Sequence, residues 1–218
     1  METKKGLFIV LDGGEGCGKS TLLKMARKFY GKRMTVSREP GGSPFAEEIR
    51  DLILDKNDTG WAGKADGKTM FALFWAARAD HMKNTIIPAL NKKGRIVVSD
   101  RFDSSTYAYQ IEAQGVRELE DVFWLMRKRY LGQFKPDIYI YLDVRPEVGL
   151  ARKNKQKNEK KNHFDKKKLD FHYRLREGFK EFLSLKNHGI RSVIINAENS
   201  KEQVFKDFQK IISTLTLL

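Results

Sequence analysis

The sequence has a single cysteine, Cys17, and no apolar run of membrane-spanning length. One thiol excludes an intramolecular disulfide, which agrees with a reducing compartment. The apolar stretch near the N-terminus, Leu7–Leu11, is broken by Asp12. It is too short for the apolar region of a signal peptide or for a bilayer span. The chain is therefore expected to be soluble and cytoplasmic, with no membrane partner. Negative charge is also scarce: 28 acidic residues face 42 Lys and Arg, for a net charge of +14. That surplus points to a polyanionic partner, whether nucleic acid, an anionic membrane or small phosphates. Half of it comes from "LARKNKQKNEKKNHFDKKK" (Leu150–Lys168), with nine Lys or Arg against one Glu and one Asp. Charge alone makes this either a nucleic-acid-binding arm or a mobile part of a catalytic site. No repeat and no linker marks a second domain, so residues 1–218 are expected to form one.

What is present is enough for a core: 40% of residues are hydrophobic and 11% aromatic. Five short runs read as strands: Leu7–Leu11, Met34–Ser37, Arg95–Ser99, Asp137–Val144 and Arg191–Ala197. Each is β-branched or aromatic and bounded by turn signals. Their apolar residues are continuous rather than alternating, as in a parallel sheet covered on both faces. Helical patterns fill the intervals: Gly18–Tyr30, Pro44–Leu54, Lys68–Asn91, Val116–Leu131, Asp165–Asn187 and Lys201–Leu215. The alternation predicts an α/β fold with a five-stranded parallel sheet between two helical layers.

"GGEGCGKS" (Gly13–Ser20) follows the first strand and opens the first helix. It matches G-x-x-x-x-G-K-[ST] in the context that the phosphate-binding P-loop requires. The predicted architecture is thus the three-layer α/β/α sandwich of P-loop nucleoside triphosphatases. Gly13, Gly14, Glu15, Gly16, Cys17, Gly18, Lys19, Ser20 and Thr21 are the candidate ATP-binding residues. Glycines let backbone N–H groups converge on phosphate oxygens, and the helix N-terminus adds its positive end. Lys19 would reach the β- and γ-phosphates, and the Ser20 hydroxyl would ligate Mg²⁺. Cys17 reads as a small side chain where only a small one fits.

The loop does not say what receives the phosphate. The other strand ends do more. "SREPGG" puts Arg38 after the second strand, and "FWAARADH" puts Phe74 and Arg78 one helical turn apart. "SDRFDSSTYAYQ" puts Asp100 and Arg101 at the end of the third strand, before a hydroxyl-rich helix start. Ligands in open α/β sheets bind at these ends. Three arginines suit a small phosphorylated molecule held by bidentate contacts, and Phe74 suits a flat base. Each residue also has a plain structural reading: a loop charge for Arg38, a core ring for Phe74, an ion pair for Arg101.

In motif order and spacing the chain resembles the thymidylate kinases, from Gly6 to about Ala197. "GGEGCGKST", "SREPGG", the F-x-x-x-R of "FWAAR", "SDRFDSSTYAYQ" and "FKPDIYIYLDV" carry the likeness. The resemblance implies transfer of the γ-phosphoryl group of ATP to dTMP with Mg²⁺. It implies that Arg38 and Arg101 bind the acceptor phosphate, and that Phe74 stacks on thymine with Arg78 at the base edge. Ser104 or Ser105 would contact the base, Tyr109 would crowd the sugar 2′ position, and Gln110 would lie nearby. Glu15 would lie near the sugar 3′-hydroxyl and the metal. Asp100 would hold Mg²⁺ together with Ser20, and Asp143 is a competing acid.

Some members carry an arginine inside the P-loop, whereas others put cations in a mobile lid. Gly16 places this chain with the second kind. Its lid is expected at about residues 150–168, and Arg152, Lys153, Lys155 and Lys157 are candidates for the missing cation, with His163 as a pH-dependent one. Together with Lys19, Glu15 and Arg101, Arg152 and Lys153 form the candidate catalytic set. The resemblance further implies a homodimer covering the exposed-looking Phe123–Met126. No nucleic-acid-binding motif is visible, which disfavours that partner. Another nucleoside-monophosphate or deoxynucleoside kinase, or a P-loop ATPase that binds nucleic acid, remains an alternative at this point.

Overall fold

All five apolar runs form strands: β1 (Leu7–Gly13), β2 (Met34–Arg38), β3 (Ile96–Asp100), β4 (Ile138–Asp143) and β5 (Ser192–Asn196). The computed structural model describes residues 5–55, 59–61, 64–155 and 167–216. The strands make one parallel sheet in the order β2-β3-β1-β4-β5. The helices are α1 (Lys19–Tyr30), α2 (Pro44–Ile53), α3 (Gly67–His81), α4 (Ile87–Leu90), α5 (Asp103–Thr106), α6 (Glu120–Leu131), α7 (Pro146–Asn154), α8 (Leu169–Ser184) and α9 (Lys201–Thr216).

Two apolar layers sandwich the sheet. Ile9 and Leu11 of β1 pack with Leu22, Leu23 and Ala26 of α1 and with Val204, Phe208 and Ile212 of α9. Phe8 and Val10 face the other way, toward Trp75 of α3, Phe123 of α6 and Phe179 and Phe182 of α8. Successive β1 side chains are thus buried on opposite faces, which is why the strand reads as an unbroken apolar run. Each fully buried side chain of this size contributes roughly 1.5–3 kcal/mol.

Three helical stretches differ from expectation. The run expected over 68–91 is not one helix. α3 ends at His81, a wide π-type turn spans Met82–Ile86, and α4 is a single turn. Pro88 accounts for this, because it has no N–H and its ring crowds the carbonyl four residues earlier. α6 starts at Glu120, after a 3₁₀ turn at Arg117–Leu119, with Glu120 and Asp121 favourably placed in its first turn. α8 starts at Leu169, and residues 156–166 of the expected lid lie outside the described residues. Phe123, expected to look exposed, is fully buried in the chain's own core. The exposed apolar side chains of α6 are instead Val122, Leu125 and Tyr130. Among the described residues, no helix is long and apolar enough to cross a membrane.

In this strand order β1 lies between β3 and β4, so the chain leaves β1 toward one side of the sheet and later returns on the other. The crevice at the carboxyl ends of β1 and β3 is where such sheets bind ligands. Gly13, Arg38 and Asp100 all end strands there.

Candidate active site

β1 stops at Gly13, and α1 begins at Lys19. The chain between them turns through Gly16 and Gly18, whose φ angles of 67° and 95° suit glycine and little else. The lysine stays with its loop. Its Nζ donates to the Gly13 carbonyl at 3.2 Å and lies 4.0 Å from Asp100 Oδ1. α7 rests directly on this turn. A Cβ on Gly16 would run into the carbonyl of Gly149, and one on Gly149 into the carbonyl of Glu15. The two backbones touch with no side chain between them.

Beside the P-loop lies a cleft of about 210 Å³. It is lined by Glu15, Lys19, Ser20, Arg38, Arg50, Phe74, Arg78, Asp100, Arg101, Ser105 and Tyr109, among others. β3 ends at Asp100, and Arg101 takes the left-handed conformation at φ 68°. For a residue with a side chain this costs about 1–2 kcal/mol. The strain is held by its amide, which donates to the Leu11 carbonyl at 3.0 Å, and by its carbonyl, which accepts from Ser99 Oγ at 2.7 Å. The turn sends the guanidinium toward Glu15 Oε1, 3.1 Å away, and over the Tyr109 ring at 5.4 Å. Burial opposes the charge of Arg101, but Tyr109, Glu15, Asp100 and Asp12 around it hold its pKa above the ordinary arginine value.

Arg78 comes from α3 and is almost wholly buried. Its Nε donates to Glu39 Oε2 at 2.9 Å and its Nη2 to Thr106 Oγ1 at 3.1 Å. Its Nη1 is buried with no hydrogen-bond partner among the described residues, as is Nη1 of Arg101. Leaving a buried donor unsatisfied costs roughly 1–3 kcal/mol. Two such donors lining one cleft are matched by a ligand that brings acceptors. Arg38 pairs with both oxygens of Glu47 at 3.1 and 2.9 Å. Arg50 Nη1 donates to the Pro40 carbonyl at 2.7 Å. Burial and then the neighbouring Arg38 push the pKa of Arg50 down, a conflict that an anion between the two would relieve.

The hydroxyl-rich segment divides its work. Ser105 lines the cleft and donates to Asp12 Oδ1 at 2.8 Å. Ser104 donates to the other oxygen of Asp12, is fully buried and does not line the cleft. Gln110 is also fully buried and off the cleft, its amide donating to Gln114 at 3.4 Å. Burial pushes the Asp12 carboxyl up to about 6, against the pull of the Ser104 hydroxyl, Arg101, the Ser105 hydroxyl and Lys19.

The lid candidates separate. Lys153 Nζ lies 3.9 Å from Glu15 Oε2. Arg152 instead donates from Nη1 to the Ala197 carbonyl at 2.8 Å. It lines a second pocket of about 280 Å³ with Cys17, Gly18, Thr21, Asn199 and Lys201. Lys155 is exposed at the end of α7, while Lys157 and His163 lie outside the described residues. Asp143 is clamped by Arg176 through two contacts of 2.7 Å. Among the described residues no cluster of three or more His, Cys, Asp or Glu is gathered for a metal. An ion held mainly by nucleotide phosphates needs only one or two protein oxygens.

Sequence reading missed Arg50, Glu39 and Thr106, which line or brace this cleft. Glu39 lies within the quoted "SREPGG". Arg50 follows on α2 with no local signal beyond its charge.

The thymidylate kinase family model matches residues 11–208. The chain is similar to the thymidylate kinase of Clostridium novyi, with 37% identity over 206 residues covering 93% of this chain and 96% of the relative. It is similar to that of Bacillus velezensis, with 38% identity and coverage of 95% of each chain. The corresponding protein of Shouchella clausii is 36% identical, with coverage of 98% of each. With a P-loop beside an arginine-rich cleft on its five-stranded parallel sheet, and with these matches over most of its length, the chain belongs to the thymidylate kinase family.

Proposed function

We propose a residue-level account of thymidylate kinase activity, the transfer of the γ-phosphoryl group of ATP to dTMP giving dTDP and ADP. The observation that carries it is the pair of buried, unpartnered guanidinium nitrogens of Arg78 and Arg101 in one cleft beside the P-loop. One end of the cleft takes the acceptor phosphate, bound by Arg101 and Arg38 with Arg50 in support. The other takes the base, with Phe74 under the ring and Arg78 at its edge. Ser105 and Tyr109 border the nucleoside, and Glu15 lies where the sugar 3′-hydroxyl comes close. Ser104 and Gln110 act behind the lining, not in contact.

The donor phosphates lie along the Gly13–Thr21 turn, where backbone amides and Lys19 meet their charge. The pocket lined by Thr21, Arg152 and Asn199 receives the donor base. Phosphoryl transfer asks the protein for alignment and charge stabilisation more than for proton removal. Lys19 provides one cation. Lys153 provides the second, because it follows Gly149 by one helical turn and so shares the face of α7 that rests on the P-loop. Ser20 and Asp100 offer the hard oxygen donors that suit Mg²⁺, and Asp100 Oδ1 is buried with no hydrogen-bond partner among the described residues. When bound there, Mg²⁺ neutralises charge on the donor phosphates.

We further propose a single domain, a lid at about residues 150–168, a homodimer formed through α6, and no nucleic acid in the reaction. An ATP-consumption assay across dTMP, dUMP, dCMP and dGMP, with and without single-stranded DNA, tests it. Turnover should be highest with dTMP and indifferent to DNA. Hydrolysis stimulated by DNA with no monophosphate phosphorylated would end this reading.

A further inference from the structure

Behind Arg78 lies a chain of buried polar groups that the account above leaves without a task. Ser37 Oγ and His81 Nε2 are 2.6 Å apart, and His81 Nδ1 lies 3.1 Å from Glu39 Oε1. The second oxygen of Glu39 holds Arg78 Nε. His81 and Arg78 are essentially inaccessible, and Glu39 is 5% exposed. A Glu39 carboxylate paired with Arg78 has only lone pairs to offer, so His81 Nδ1 donates to it and Nε2 meets the Ser37 hydroxyl. The "SREPGG" loop is seated closely on this pair. A Cβ on Gly42 would strike His81 Nε2 and Ser37 Oγ. Thr85 Oγ1 donates to the Gly42 carbonyl at 2.6 Å, and Ser43 Oγ to Asp80 at 2.5 Å.

The guanidinium at the end of the chain has little freedom left. Nε is fixed by Glu39, Nη2 by Thr106, and the plane lies near the rings of Trp75 and Phe102, at 4.6 and 5.2 Å. Of its nitrogens, Nη1 has no hydrogen-bond partner among the described residues. Where that nitrogen sits depends on how the Glu39 carboxylate is turned. His81 sets that turn, and Ser37 sets His81.

We infer that Ser37, His81 and Glu39 form a positioning relay that aims Arg78 at the acceptor base, so that a histidine outside the cleft governs acceptor affinity and base choice. The inference rests on Arg78 reading the base, as proposed above. A clamp that served only the fold would affect stability and both substrates alike. A relay affects the acceptor and its base edge.

Two substitutions of His81 separate the two contacts. His81→Asn keeps an N–H at the Nδ1 position and loses the reach to Ser37. His81→Gln reaches toward Ser37 and loses the donor at Nδ1. Initial rates of the full chain are measured with dTMP and with dCMP at saturating ATP, and then with ATP varied. His81→Gln should raise KM for dTMP roughly tenfold and lower the preference for dTMP over dCMP by a similar factor. Its kcat and its KM for ATP should stay within about twofold. His81→Asn should recover most of the loss. Ser37→Ala, which removes only a hydroxyl and serves if the His81 variants fold poorly, should raise KM for dTMP by about two- to fivefold. Arg78→Gln is the control on the underlying reading and should be at least as defective as His81→Gln. The relay is refuted if Arg78→Gln impairs dTMP use while both His81→Gln and Ser37→Ala leave KM and base preference unchanged. It is equally refuted if the variants shift the KM values for ATP and dTMP together. An Arg78→Gln enzyme with normal KM and preference would instead overturn the base-reading role of Arg78, and the relay with it.

Discussion

Lys19 and Arg101 line the end of the cleft nearest the P-loop, a third charged residue is buried behind them, and the three differ in what the fold asks of them. Lys19 already touches its own loop at Gly13, so its work begins when a phosphate draws it away. Arg101 is strained, buried and one hydrogen bond short, so it is built for an anion. These roles predict a crossed pattern. Lys19→Ala should lower kcat by roughly 10²-fold or more, as loss of a preorganised donor does. Arg101→Ala should weaken dTMP binding by about 1.5–3 kcal/mol with little effect on ATP, as read by calorimetric titration. Loss of ATP affinity in Arg101→Ala would put the acceptor phosphate elsewhere.

Asp12 is the third. Burial raises its pKa from 3.8 to about 6. A raised folded-state pKa means that the folded protein holds the proton more tightly than the unfolded chain. The stability linked to this group is therefore full below about pH 4 and lost as pH rises through about 6, an effect of about 3 kcal/mol. Asp12→Asn removes it. Denaturant titrations should show the unfolding free energy of the variant gaining on that of the parent between pH 4 and 7, and a constant difference would contradict the assignment. Neither Asp12 nor Arg50 was legible in the sequence as part of the site, for a physical reason. An acid after an apolar strand and an arginine on a surface helix carry no local mark of what the fold brings against them. The choice between Ser104 and Ser105 was left open for the same reason. Neighbours in a helix point about 100° apart, and only the packing of α5 against β1 decides which hydroxyl reaches the cleft.

Among the elements, α7 rests on the P-loop and leads into the lysine-rich stretch of the sequence. Its Gly149 contact leaves no room for adjustment, because backbone meets backbone. Lys153 and Arg152, adjacent in sequence, reach different neighbours, Lys153 the Glu15 carboxylate and Arg152 the Ala197 carbonyl. Lys153→Ala should lower kcat while leaving dTMP affinity near that of the parent, since the cation matters most where charge develops. Arg152→Ala should raise KM for ATP and leave kcat largely intact. The reverse assignment of defects, measured by initial rates with each substrate varied, would exchange the two roles. The strands were legible because a sheet covered on both faces demands continuous apolar runs, and β1 through β5 supply them. The long helix expected over 68–91 was not, because Pro88 acts on the turn before it and the wide turn at Met82–Ile86 absorbs the conflict without breaking the apolar pattern.

On the scale of the whole molecule, half of the net charge of +14 lies in one segment, and five cations face three acids around the cleft. Arg38, Arg50, Arg78 and Arg101 surround the cleft, and the lysine-rich stretch follows α7. The apolar surface left over on α6, Val122, Leu125 and Tyr130, is where a second copy would sit. Light scattering at micromolar concentration should report a dimer, and Leu125→Glu should shift it toward monomer. The fold class and the order of the motifs were legible because the P-loop, Arg38 and Arg101 stand at strand ends. Glu39 and Arg50 of the lining were not, since the cleft is assembled from the P-loop, α1, β2, α2, α3 and the segment after β3.

The most direct test of the account is the crystal structure of the chain with dTMP bound. The thymine ring should lie over Phe74 with its edge within hydrogen-bond distance of Arg78 Nη1, and the phosphate should lie against Arg101 and Arg38. Density for dTMP outside this cleft, or in it with the phosphate directed away from Arg101, would contradict the account.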